Sequence, residues 1–143
     1  MMKKIMVLLF VCIFMTSITA CTDSPDKIYG IYKDVNEKRD MWGYIYTLSV
    51  SEKEIKFTDS AINYPVKKYV KKDDNWIAEN PNGPTRFAVL KFIDKNTFEY
   101  IRHSEGQEKF IGTYVKITDE EFKTIRNTPK KCEPVKELPL FGN

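Results

Sequence analysis

The chain has 143 residues, with 23 basic and 20 acidic side chains, a single histidine and 13% aromatic residues. That length fits one domain with room for a sizeable core, and so small a net charge leaves no global electrostatic case for nucleic-acid binding.

The N-terminus has the layout of a secretory signal peptide. Lys3 and Lys4 precede an unbroken apolar run from Ile5 to Met15, and Thr16, Ser17, Thr19 and Ala20 follow. The run is too short for a comfortable membrane span and suits a signal h-region, so residues 1–20 are kept out of the fold. Ile18-Thr19-Ala20-Cys21 resembles the lipobox of bacterial lipoproteins. That resemblance implies cleavage before Cys21, a diacylglyceryl group on its sulfur and acylation of the new amino group. Each buried methylene contributes roughly 0.8 kcal/mol, so several acyl chains make a stable membrane anchor. By the same resemblance, Asp directly after Cys21 would retain the protein at the inner membrane. Thr22 stands there instead, which implies the outer membrane of a Gram-negative cell, with the domain facing the periplasm.

Removing residues 1–20 changes the accounts. All 20 acidic and 21 of the 23 basic residues remain, so the mature net charge is +1. Cys12 is lost and Cys21 is lipidated, leaving Cys132 without an internal disulfide partner. The core must therefore hold the fold, and Cys132 is open only to an intermolecular bond.

Residues 21–27 are polar and contain Pro25, as expected of a tether. From Ile28 the chain is rich in Tyr, Phe, Ile and Val, with turn residues every 8 to 12 positions or so, the pattern of a small β-domain over 28–127. Strands are expected at 28–33, 43–50, 54–58, 65–71, 75–79, 85–93, 97–103 and 109–117. Alternation in 43–50 and 54–58 gives each one buried face, and Ser51-Glu52-Lys53 should join them as a hairpin. Phe87 to Ile93 is apolar on both faces, which predicts a central strand with a helix over its outer side. That helix should start at Thr118, whose spacing to Glu121 forms a capping box, and run to Asn127 before Pro129. A Pro-rich tail follows over 128–143.

The expected fold is mainly β: a single antiparallel barrel or closed meander of about eight strands with one C-terminal helix. Ile28-Tyr29-Gly30-Ile31-Tyr32 also resembles the Gly-x-Trp opening of lipocalin-like (calycin) barrels, with Tyr32 in the place of Trp.

Residues able to carry chemistry are few. A catalytic triad or multi-histidine metal site would need His103, which sits near a predicted strand end as a surface residue. The acidic residues lie in turns or alternate outward with Lys, so no catalytic carboxylate pair, cofactor or metal site is expected, and Asp73-Asp74-Asn75 reads as a turn. Two features are candidate partner-binding elements. Trp76 follows that polar turn, where binding hot spots are often found. Lys67, Lys68, Lys71 and Lys72 form the densest basic run, which either contacts lipid phosphates or an acidic protein, or guards a strand edge. Tyr44, Tyr46, Phe57, Phe87, Phe98, Tyr100, Phe110 and Tyr114 could line a ligand pocket, but in a barrel this small they are expected to fill its core.

These features point to a non-enzymatic, lipid-anchored periplasmic protein. It would bind an envelope or secreted protein, as an inhibitor or immunity protein does; host lysozyme or a competitor's toxin are examples. The alternatives are a lipocalin-like carrier of a small apolar ligand and a structural component of an envelope complex.

Overall fold

Residues 24–129, with the exception of Ile62, are described by the computed structural model. The signal peptide, lipidation at Cys21, the start of the tether, Cys132 and the tail beyond Pro129 lie outside the described residues.

Alternation of apolar and polar side chains is realised as strands with one buried face. Among the described residues the strands are β1 (Gly30–Asp34), β2 (Thr47–Val50), β3 (Glu54–Phe57), β4 (Asn63–Pro65), β5 (Lys68–Lys72), β6 (Asn75–Glu79), β7 (Arg86–Asp94), β8 (Thr97–Ser104) and β9 (Gln107–Ile117). They form one antiparallel sheet in the order β4-β3-β2-β1-β9-β8-β7-β6-β5. The β2–β3 hairpin pairs Val50 with Ile55, across the expected turn.

The expected closed barrel is corrected. The two edge strands, β4 and β5, are consecutive in the chain yet do not pair. Pro65 at the end of β4 has no N–H to give a closing ladder. The next two amides then diverge: Val66 N–H donates to Lys53 O at 2.8 Å, and Lys67 N–H donates to Glu79 O at 2.7 Å. The chain thus steps from one sheet edge to the other in two residues, which also splits the single strand expected over 65–71. Side chains meet across the curled sheet. Tyr69 Oη donates to Ser51 O at 2.7 Å, and the Arg102 guanidinium of β8 lies 5.5 Å from the Tyr64 ring of β4.

The concave face carries the core. Tyr32, Leu48, Leu90, Phe98 and Tyr100 have no exposed surface, and Tyr32 meets Phe98 edge-on at 4.7 Å. Burying each such side chain contributes about 1.5–3 kcal/mol. Of the aromatics expected inside, Phe98, Tyr100 and Tyr114 are buried, whereas Phe110 and Tyr46 are exposed.

One end of the sheet is plugged. The described part of the expected tether forms, with Ile28, a 3-10 turn over Pro25–Ile28. Ile28 is buried, its carbonyl accepts from Tyr32 Oη at 2.8 Å, and Lys116 Nζ donates to Lys27 O at 3.2 Å. Gly30 at φ +148° allows this close approach, since a Cβ there would sit 2.8 Å from Lys116 Cε.

Helix α1 (Asp119–Asn127) has the expected bounds, and Thr118 Oγ1 accepts from Glu121 N–H at 3.2 Å. The Glu121 carboxylate does not reach back to close the capping box; it accepts from Lys33 Nζ at 2.7 Å. This pins α1 beside β1, not over β7 as expected, and Ile93 stays 61% exposed. The reason is local: α1 follows β9 after a single residue, and β9 pairs with β1.

Candidate functional site

The end opposite the plug is open, and the long connection between β1 and β2 shapes it. Two aspartates fold this loop by accepting backbone amides, the local bonding for which Asp is favoured in turns. Asp34, 3% exposed, accepts at Oδ1 from the amides of Asn36 (2.8 Å) and Lys38 (3.5 Å). Asp40 Oδ1 accepts from Trp42 N–H at 2.9 Å and Tyr44 N–H at 3.0 Å. Gly43, at φ +83°, makes the turn, and its amide donates to Asp40 O at 3.0 Å. The tip so formed carries Met41 and Trp42, which are 80% and 70% exposed.

Behind the tip lies an open bowl of about 680 Å³, walled by Met41, Trp42, Tyr46, Phe57, Ile111 and Tyr114, with Asp34, Asp40 and Asp59 at its margin. Helix α1 braces two of its loops at once. Arg126 Nη1 donates to Asp59 Oδ2 at 2.6 Å, while the same guanidinium stacks 4.6 Å over the Tyr44 ring. Burial, reinforced by the charge of Asp34, raises the Tyr114 phenol well above its ordinary pKa, so it stays protonated at neutral pH. Below the bowl Tyr100 packs on Tyr114 at 6.4 Å, and both rings are buried.

The candidate partner-binding residues lie elsewhere. Trp76 is corrected as a surface hot spot: it is 7% exposed. Period 2 on β6 turns Trp76 and Ala78 into the core, and adjacency to a polar turn does not alter that direction. Lys67, Lys68, Lys71 and Lys72 are all exposed, at or on the edge strand β5, and none lines the bowl. Lys68 pairs with Glu79 at 3.6 Å, and Lys71 Nζ lies 6.0 Å from the Trp76 ring. His103 stacks on Phe87 at 4.4 Å and lies 3.8 Å from Glu108. Among the described residues, no group of three or more His, Cys, Asp or Glu is placed to hold a metal ion, and no helix is long and apolar enough to cross a membrane.

Sequence reasoning missed Met41 and Trp42. The available signal was Asp40-Met41-Trp42-Gly43, two large apolar residues enclosed by two turn formers. Compared with protein-family models, curated proteins and solved structures, the chain matches none.

Proposed function

We propose that this chain is a lipid-anchored binding module of the bacterial outer membrane, facing the periplasm through Cys21, that grips an envelope or secreted protein at its open mouth. The observation that carries the reading is the exposure of Met41 and Trp42 at the tip of a loop fixed by Asp34 and Asp40. Large apolar side chains held out on an ordered loop suit protein contact, because little entropy remains to be lost on binding. The inhibitor or immunity type fits best, since such a protein needs a rigid contact surface and no catalytic residues. A carrier role draws support from the bowl, but the bowl stands open to solvent and would shield an apolar ligand only in part.

The test is capture of partners from envelope extract, with and without added lysozyme, by the full-length protein. A stoichiometric partner should be recovered by the native chain and lost with Met41→Ala/Trp42→Ala, at an unchanged melting temperature. Equal recovery by both chains would overturn the mouth as the binding surface. Labelled palmitate should enter the native chain and not Cys21→Ser.

A further inference from the structure

Among the described residues Asp34 is the one charged side chain that is buried, and it lines the bowl at the mouth. Its Oδ1 takes the Asn36 and Lys38 amides, yet no cation lies within ion-pair distance of the carboxylate among the described residues. Buried charges are ordinarily paired. Asp40, on the same lining, is only partly buried. Its Oδ1 takes the Trp42 and Tyr44 amides, and its Oδ2 makes no hydrogen bond among the described residues. Asp59 differs, because Arg126 donates to it at 2.6 Å.

The lining is therefore short of positive charge. Beside the three aspartates it holds one cation, Lys38, among the described residues. With Asp59 answered by Arg126, Asp34 and Asp40 against Lys38 leave a net charge of −1, which one monovalent cation balances. Arg39 does not serve: its Nη1 donates to Gly43 O at 2.8 Å, and it lines no part of the bowl. Arg126 acts on Asp40 only through its charge, at longer range than on Asp59. The exposed rings of Trp42 and Tyr46 border the same space. Aromatic faces attract cations, and a guanidinium both stacks on a ring and offers a carboxylate paired donors. The molecule makes this combination once already at the margin, where the Arg126 guanidinium stacks over Tyr44 and donates to Asp59.

We propose that the bowl receives an arginine side chain of the protein gripped at the mouth. The guanidinium lies against Trp42 and Tyr46 and donates to Asp40 Oδ2, while Asp34, nearly covered, attracts it through charge. This rests on the mouth being the contact surface, and it names the partner's chemistry there.

The test is titration of the full-length protein in detergent with the tripeptide acetyl-Gly-Arg-Gly-amide, and separately with the same peptide carrying neutral citrulline in place of arginine. The indole N–H signals of Trp42 and Trp76 in NMR spectra are the readout. Trp42 should shift saturably while Trp76 stays, and the arginine peptide should bind about fivefold tighter or more than the citrulline one. Asp40→Asn keeps the carbonyl oxygen that the Trp42 and Tyr44 amides need and deletes the charge. It should weaken the arginine peptide about fivefold or more and leave the citrulline peptide unchanged. Asp34→Asn should act in the same direction, which keeps the charge testable if Asp40→Asn disturbs the loop. No shift of Trp42, equal binding of the two peptides, or undiminished arginine binding in both Asn variants would each overturn the proposal. Partner capture separates the two readings. If Asp40→Asn and Asp34→Asn recover the partner as well as the native chain does while Met41→Ala/Trp42→Ala loses it, the arginine pocket fails and the mouth stands. Equal recovery by Met41→Ala/Trp42→Ala removes the mouth itself.

Discussion

The two tryptophans differ sharply in burial. Trp76, beside a polar turn, packs in the core, and Trp42, one residue before the strand expected over 43–50, stands out at the mouth. Trp76→Ala should therefore lower stability by about 3–5 kcal/mol, read from denaturant unfolding, whereas Trp42→Ala should change it by less than about 0.5 kcal/mol. The buried tyrosines add a pH signature. Burial pushes Tyr32 up from 10.0 to about 12. The folded state then keeps this proton more tightly than the unfolded chain does, so stability is intact below the unfolded value and falls as pH rises from about 10 towards 12. Tyr69 and Tyr114, raised for the same reason, extend the loss to higher pH. Denaturation midpoints should be flat from neutral pH to about pH 9 and then decline, and a flat profile to pH 12 would contradict this.

At the scale of elements, local chemistry was legible and docking was not. The bounds of α1 follow from Thr118 and Pro129, both visible in the sequence. Its position depends on β9 pairing with β1, a contact between distant parts of the chain that no local pattern encodes. Residues 43–46 alternate like a strand, yet Asp40 takes the Trp42 and Tyr44 amides, and this local bonding displaces strand pairing. Because Arg126 touches both Asp59 and Tyr44, α1 steadies the mouth from outside the sheet. Arg126→Ala should cost no more than about 1 kcal/mol globally, since the pair is partly exposed. It should nonetheless speed amide exchange at Trp42 and Tyr44 selectively; uniform or unchanged exchange would count against the brace.

For the whole molecule, the unclosed seam leaves β5 at an edge of the sheet among the described residues, and Lys68, Lys71 and Lys72 of the lysine run fall on that strand. Charged side chains on an edge deter pairing with another sheet. Replacing Lys68, Lys71 and Lys72 with Thr should leave the melting temperature nearly unchanged and produce concentration-dependent association in light scattering; a monodisperse variant would argue for another role. The sequence by itself determined the β-rich class, the β2–β3 hairpin and the helix bounds, because strand period, turn chemistry and capping act over a few residues. Only the tertiary structure decided that the sheet stays unclosed, that Trp42 and not Trp76 meets solvent, and that Arg102 lies beside Tyr64. Each of those depends on how distant strands curl towards one another, and the physical cause is the joint packing of residues far apart in the chain.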